Sequence, residues 1–122
     1  MSETSHPFFD MHAHGFVRVA TATPCSRSAD VAYNTAGVLA EARKAHEANV
    51  DLVVFPELTL SSYAIDDLLL QHALIERVEQ ALAEVVAAST ELAPVLILGA
   101  PLKRADKLYN CAVVVARGQI LG

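Results

Sequence analysis

The chain is organised around one segment, here called the organising stretch: Leu52-Val53-Val54-Phe55-Pro56-Glu57-Leu58-Thr59-Leu60-Ser61-Ser62-Tyr63. It opens with four apolar residues, and a short apolar run ended by a proline is typical of a strand buried on both faces. Pro56 has no backbone N–H to give to a sheet ladder, so we expect the strand to end there. Glu57 then follows the carboxyl end of a buried parallel strand, which is where open α/β sheets place their functional groups. A carboxylate ringed by apolar side chains at that edge suits a general base.

Outward from this stretch, hydrophobic periodicity predicts the element order β-α-β-α-β-β. Asp30 is placed to cap the first helix, and Asn49 suits its C-terminus. The βαβ portions predict parallel strands, and the last pair predicts an antiparallel hairpin with a tight turn at Arg117-Gly118. The expected elements are a strand over 16–23, a helix from 31 to about 49, a strand over 52–55, a short helix over 65–71, a helix over 74–92, a strand over 95–98 that residues 99–101 turn out of the sheet, and a strand over 109–116.

The composition indicates a packed domain or part of one, because 53% of the 122 residues are hydrophobic. The net charge of −5 with no basic cluster argues against nucleic acid and anionic membranes as partners. No apolar run approaches the length of a membrane span, and the first ten residues lack the apolar core of a secretion signal. The two cysteines lie far apart and indicate no disulfide framework, so we expect a cytoplasmic protein.

We expect residues 1–14 to form a loose N-terminal arm ahead of a domain over 15–122. The arm carries His6, His12 and His14, but no second ligand cluster accompanies them, so we expect no metal site. Asp66 and Asp67 are adjacent carboxylates at the start of the short helix. We expect them to complement the helix dipole, because sequence neighbours on a helix do not face each other as cation ligands would.

The organising stretch also carries a family resemblance. Phe55-Pro56-Glu57-Leu58, followed by Leu60-Ser61-Ser62-Tyr63, resembles the first catalytic motif of the nitrilase, or carbon–nitrogen hydrolase, superfamily. Flanking segments are similar to the glutaminase domain of actinobacterial-type glutamine-dependent NAD synthetases; they are His14-Gly15-Phe16-Val17-Arg18-Val19-Ala20, Pro94-Val95-Leu96-Ile97-Leu98-Gly99-Ala100-Pro101, and Tyr109-Asn110 ahead of Arg117-Gly118-Gln119-Ile120-Leu121-Gly122. The resemblance covers the chain from about His14 onward, but only the first part of that glutaminase domain. It implies an α/β fold that is part of a four-layer αββα sandwich.

The resemblance implies covalent catalysis of glutamine amide hydrolysis. In that family a cysteine attacks the amide carbonyl, a glutamate takes the thiol proton and later activates water, and a lysine supports the oxyanion. Carried over by position, the glutamate is Glu57, and the tyrosine that borders the glutamine pocket is Tyr63. The lysine would lie just past Gly122 and the cysteine further on. We therefore expect an incomplete piece, cut within a β-hairpin and inactive by itself.

Three further residues affect the assignment of family roles to this chain. Ser62 stands where the family usually has glycine, so its backbone would be strained if that position needs a positive φ. Cys111 lies mid-strand before a run of valines and is expected to be a small core residue. Cys25 lies in a loop and is expected to be exposed. We therefore expect neither cysteine to be the nucleophile.

The resemblance also implies partners for the whole enzyme. Ammonia would pass to a synthetase domain, absent from this chain, that uses ATP and magnesium to amidate nicotinic acid adenine dinucleotide. The glutaminase step itself would need no cofactor. The expected partners are glutamine, the remainder of the glutaminase domain, the synthetase domain, and further copies in a homo-oligomer whose association the N-terminal arm helps.

Two alternatives stay open. One is a stand-alone amidase of the same superfamily, and the other is a non-catalytic regulatory domain of receiver type. A receiver needs an aspartate that closes a strand, whereas Asp66 and Asp67 are expected to begin a helix. Locating the acidic residue that ends a strand therefore separates the receiver from the hydrolase.

Overall fold

The computed structural model of the protein describes residues 6–122 and confirms the predicted order of strands and helices. Four short 3-10 helices lie between or before these elements, at Pro7–Phe9, Met11–His14, Asp66–Leu70 and Ser89–Glu91. The main elements are β1 (Val19–Thr21), α1 (Val31–Glu47), β2 (Leu52–Val54), α2 (His72–Ala88), β3 (Val95–Arg104), β4 (Lys107–Ala116) and β5 (Gln119–Ile120).

One five-stranded sheet has its strands in chain order, β1-β2-β3-β4-β5. The first three strands are parallel, as the βαβ pattern predicts, and β3, β4 and β5 are antiparallel. The two hairpin turns place Ala105 and Asp106, and then Arg117 and Gly118, at positive φ. Two successive positive φ values give the backbone twist that suits two-residue hairpins, so the predicted turn at Arg117-Gly118 is confirmed.

The ends of α1 follow the predicted capping. The Asp30 carboxylate accepts a hydrogen bond from the Tyr33 amide at 3.1 Å, which satisfies an otherwise free N–H of the first turn. Asn49 follows the helix with φ of 54°, the left-handed conformation that asparagine tolerates better than most residues. The second helix ends earlier than predicted, because its last turn tightens into the 3-10 helix Ser89–Glu91.

The helices cover one face of the sheet and leave the other open. On the covered face, Val53, Leu96 and Val115 pack in one apolar cluster with residues of both helices. The side chains that alternate with them point the other way, and Val19 and Val54 remain 63% and 37% exposed. The central strands are therefore apolar on both faces, as predicted, but residues 6–122 bury only one of these faces.

β3 differs most from its prediction. It continues through Gly99-Ala100-Pro101 to Arg104, where the sequence predicted that the chain would turn out of the sheet. β4 pairs with it along that whole length, as far as Arg104 opposite Lys107. Pro101 is tolerated because β2 pairs with β3 only as far as Ile97, so this part of β3 has no strand on its other side.

The N-terminal segment is tied to the domain, although it was expected to be loose. His12 Nε2 lies 3.0 Å from both carboxylate oxygens of Asp51, and Nδ1 lies 3.1 Å from Asp10. Hydrogen bonding to Asp51, and then to Asp10, raises the pKa of His12 above its ordinary value. The Arg18 amide, 2.6 Å from Asp51, and then His12 lower the pKa of the Asp51 carboxyl. Residues 1–5 of the predicted arm lie outside the described residues.

Candidate active site around Glu57

Glu57 lies where the sequence placed it, just beyond the carboxyl end of β2. Strand pairing stops at Val54, and the Phe55 amide still donates to the Ile97 carbonyl at 2.8 Å before the chain leaves the sheet at Pro56. Asp66 and Asp67 begin a 3-10 helix, as predicted. Glu57 is therefore the acidic residue that ends a strand, which is the arrangement expected of the hydrolase.

The expected apolar ring around Glu57 is only partly found. Phe55, Leu58 and Leu60 are all buried, but of these three only Phe55 lines the cleft beside Glu57. Glu57 itself is exposed. The chain turns sharply from Glu57 onward, over residues 57–61.

That turn is built on an unusual backbone conformation. Leu58 has φ of 51°, a region that a bulky residue rarely adopts, although its side chain is buried. Its carbonyl accepts hydrogen bonds from the amides of Ser61, at 3.1 Å, and Ser62, at 2.9 Å. Ser62 has φ of 72°, so the position that the family usually gives to glycine does require a positive φ.

Gly99 on β3 packs against the backbone of this turn. A Cβ atom at Gly99 would lie 2.7 Å from the Pro56 carbonyl oxygen and 2.8 Å from the Glu57 carbonyl carbon, and closer still to the Leu58 nitrogen. These are all backbone atoms, so no side chain fits without moving the loop. The close approach of loop and strand therefore requires glycine at this position.

Asn34 holds the same loop from the helix side, a role that sequence reasoning missed. Its side chain is buried, and Nδ2 donates to the carbonyls of Leu60 at 3.2 Å and Arg27 at 2.9 Å. Its Oδ1 accepts from the Arg27 amide at 2.8 Å. The available signal was an asparagine three residues after Val31, on the apolar face of α1, where a polar side chain needs buried partners.

A cleft of about 350 Å³ opens beside Glu57 on the uncovered face of the sheet. Among its lining residues Glu57 carries the only ionisable carboxylate, and Nδ2 of Asn110 donates a hydrogen bond to its Oε1. The lining residues are Val54, Phe55, Pro56, Glu57, Ile97, Leu98, Gly99, Asn110, Cys111 and Ala112. From the sequence, Asn110 was notable only as part of a segment that resembles the family. The available signal was a lone amide ahead of an apolar run in β4, but its partner depended on the register of β3 and β4.

The structure does not bring Tyr63 to this cleft. Its side chain is 70% exposed, and it is not among the lining residues. Ser62, the residue before Tyr63, has a positive φ, so the backbone that leads to Tyr63 is strained. Contact between Tyr63 and a substrate stays a prediction.

The cysteines lie as expected. Cys111 packs against the apolar cluster on the helix-covered side, and only part of it reaches the cleft. Cys25 is exposed in the loop before α1. Across residues 6–122, no three His, Cys, Asp or Glu side chains are grouped to hold a metal ion.

Larger clefts lie away from Glu57 in the described part of the chain, two of about 510 Å³ and one of about 400 Å³. The first two lie between the C-terminal ends of the two helices and between α2 and the hairpin, and the third lies beside the N-terminal segment. We take the cleft beside Glu57 as the candidate active site, because it lies at the carboxyl end of parallel strands and joins a carboxylate to a hydrogen-bonding amide. No helix in the described part of the chain is long and apolar enough to cross a membrane.

Comparison with known proteins identifies the family of the chain. Residues 18–122 match the carbon–nitrogen hydrolase family. The chain is 50% identical over 115 residues to the glutamine-dependent NAD(+) synthetase of Mycobacterium tuberculosis. The aligned region covers 94% of this chain and 17% of that protein. The chain thus spans about a sixth of the length of such relatives.

Solved structures confirm the nitrilase-like α/β fold. The glutamine-dependent NAD(+) synthetase of Cytophaga hutchinsonii superposes with a TM-score of 0.80 at 28% identity, over 87% of this chain and 18% of that one. An amidase from Nesterenkonia sp. gives a TM-score of 0.77 at 20% identity, over 87% of this chain and 41% of that one, which is a likeness of fold alone. The match over most of the chain excludes the receiver-type alternative, and the protein belongs to the carbon–nitrogen hydrolase family.

Proposed function

We propose that this chain supplies the general base, Glu57, of a glutaminase that releases ammonia for the formation of NAD. The observation that carries the proposal is the position of Glu57, beyond the end of β2 and held by Asn110 beside an open cleft. The 50% identity to a glutamine-dependent NAD(+) synthetase supports glutamine as the amide substrate. It favours this function over that of a stand-alone amidase, for which the support is a likeness of fold.

In the proposed reaction, the Glu57 carboxylate takes the proton from a cysteine thiol as sulfur attacks the side-chain carbonyl of glutamine. The C–N bond breaks, and the nitrogen leaves as ammonia with the proton that Glu57 held. Glu57 next takes a proton from water as its oxygen attacks the thioester. The C–S bond breaks, the thiolate regains the proton, and glutamate is released. The net reaction is glutamine plus water giving glutamate plus ammonia.

The cysteine and the oxyanion-supporting lysine would come from parts of the enzyme other than residues 1–122. Cys111 does not suit the nucleophile, because its side chain packs on the side of the sheet opposite Asn110. No cofactor takes part in the proposed step. ATP and magnesium would act in a separate synthetase domain, which would ligate the ammonia to nicotinic acid adenine dinucleotide.

We also propose that the intact enzyme works in the cytoplasm as a homo-oligomer. The two free cysteines, one of them exposed, accord with a reducing compartment. The uncovered apolar face of the sheet accords with further protein packed against it, and we assign that role first to the remainder of the glutaminase domain.

The test is Glu57→Gln in the full-length enzyme, since glutamine keeps the shape of the side chain but cannot take a proton. NAD formation driven by glutamine should fall about a hundredfold or more, whereas NAD formation driven by added ammonia should survive. Glu76→Gln, at an exposed position on α2, is the matched control and should leave both activities unchanged. Glutamine-driven turnover that survives Glu57→Gln would show that the assignment is wrong.

A further inference from the structure

Asn110 is tied to Glu57 by the one side-chain hydrogen bond that Glu57 makes among residues 6–122. The two residues are 53 positions apart in sequence and belong to different elements. Asn110 lies in β4 opposite Pro101, on the stretch of the hairpin that extends beyond the end of β2. This contact joins the loop that carries Glu57 to the sheet, and both residues line the cleft.

The chemistry of this contact is directional. A carboxylate only accepts hydrogen bonds, and the asparagine NH₂ group only donates them. The terminal torsion of a glutamate side chain is broad, so an isolated carboxylate samples many orientations. A donor held at Oε1 fixes the plane of the carboxylate and leaves Oε2 free to take a proton.

The donor itself is held on a rigid support. β4 pairs with β3 at nine successive positions, from Leu96 opposite Val115 to Arg104 opposite Lys107. The residues before and after Asn110 are both paired with β3, so the backbone of Asn110 is fixed. The Glu57 loop packs against Gly99 of the same hairpin. Groups held on paired strands keep their geometry better than groups on loops.

We propose that Asn110 is a positioning residue, which acts on glutamine hydrolysis by orienting the Glu57 carboxylate. The inference rests on the proposed function, because it requires that Glu57 be the base. Asn110 itself exchanges no proton and forms no covalent bond. Its loss should therefore slow proton transfer and leave the binding of glutamine nearly unchanged.

The test uses Asn110→Asp and Asn110→Ala in the full-length enzyme. Asn110→Asp keeps the shape but replaces the donor with a second carboxylate, and Asn110→Ala removes the group. For both, kcat with glutamine should fall about ten- to a hundredfold, while KM for glutamine stays within about twofold and the rate with ammonia is unchanged. Gln119→Glu, the same amide-to-acid change at an exposed position of β5, is the control and should alter none of these values.

A double-mutant cycle with Glu57→Gln decides whether Asn110 acts through the base. Asn110→Ala should add less than about a twofold loss to Glu57→Gln, because the group that it orients is already gone. Multiplicative losses would overturn the inference, as would equal losses with glutamine and ammonia, or a change confined to KM. If Glu57→Gln abolishes turnover and the Asn110 variants do not, this inference alone fails. If Glu57→Gln retains turnover, the proposed function fails instead.

Discussion

Gly99 lies directly under the backbone nitrogen of Leu58, so close that a Cβ at Gly99 would overlap the loop that carries Glu57. The two residues are brought together because β3 runs straight on past the end of β2, and the chain leaving β2 folds back over it. The placement of Glu57 thus depends on a glycine, which has no side chain, at position 99 of the neighbouring strand.

Gly99→Ala should therefore displace the Glu57 loop. We expect a loss of about 1–3 kcal/mol in the free energy of unfolding, because the added methyl meets backbone atoms that cannot rotate away. Glutamine-driven turnover should fall further than ammonia-driven turnover. Gly37→Ala in α1 is the control, since the nearest backbone atom to a Cβ there lies 3.7 Å away. Denaturant titration with both assays checks this, and equal behaviour of the two variants would contradict it.

Ser62→Gly should stabilise the loop. Ser62 has φ of 72°, and the left-handed region costs a residue with a Cβ about 1–2 kcal/mol that glycine does not incur. Part of this gain is offset by the greater freedom of glycine in the unfolded chain, so we expect a net gain of about 0.5–1 kcal/mol. Ser26→Gly, in an exposed loop without positive φ, should instead be neutral or destabilising. Thermal unfolding of the two variants measures the difference.

Tyr63→Ala tests the remaining residue that the family resemblance singled out. Tyr63 is largely exposed in residues 6–122, so its removal should cost little stability. If it borders the glutamine pocket in the whole enzyme, the apparent KM for glutamine should rise several-fold, while that for ammonia does not change. Steady-state kinetics with both nitrogen donors measures this. Equal effects on the two would instead indicate general destabilisation.

The contact of His12 with Asp51 and Asp10 predicts that attachment of the N-terminal segment depends on pH. The pKa of His12 is raised, so its contribution is complete below the ordinary value of 6.5 and is lost as pH rises through the raised value. The pKa values of Asp51 and Asp10 are lowered, so their contributions are present above 3.8 and are lost as pH falls through the lowered values. Attachment should therefore be strongest between pH 3.8 and 6.5.

Hydrogen exchange of the amides of Gly15 and Phe16 reports on this attachment. These amides donate to the carbonyls of His12 and Met11, in the turn that the His12–Asp51 contact holds against the domain. After correction for the intrinsic effect of pH, their protection in the full-length enzyme should decline as pH rises above 6.5. Asp51→Asn should remove most of the decline, since the asparagine cannot pair with the imidazolium. A decline of the same size in Asp51→Asn would show that another group is responsible.

Residues 1–122 expressed alone should have no glutaminase activity and should self-associate. The base has no nucleophile beside it, and members of such a catalytic unit do not act singly. The sheet face that carries Val19 and Val54 is apolar and uncovered, which favours association. Size-exclusion chromatography with a glutamate-release assay tests both statements. A monomer that unfolds cooperatively would contradict the second, and glutamate release abolished by Cys111→Ser would contradict the first.

Local sequence was sufficient to predict the order of the elements, the cap at Asp30, the helix end near Asn49 and the position of Glu57 at the end of a strand. These features depend on local chemistry: apolar periodicity, a carboxylate that meets free amides, and a proline that cannot join a ladder. The motif around Glu57 is also sufficient to indicate the family. All of this information lies within a few residues of each feature.

The contacts that hold Glu57 in place come from residues far from it in sequence. Asn110, Gly99 and Asn34 come from three separate elements, and each reaches the Glu57 loop through strand register or helix packing. Neither register nor packing is visible in local sequence, because both depend on which apolar faces meet. For the same reason, β3 continued through Pro101: its pairing with β4 outweighed the local turn signal, and the neighbouring strand had already ended.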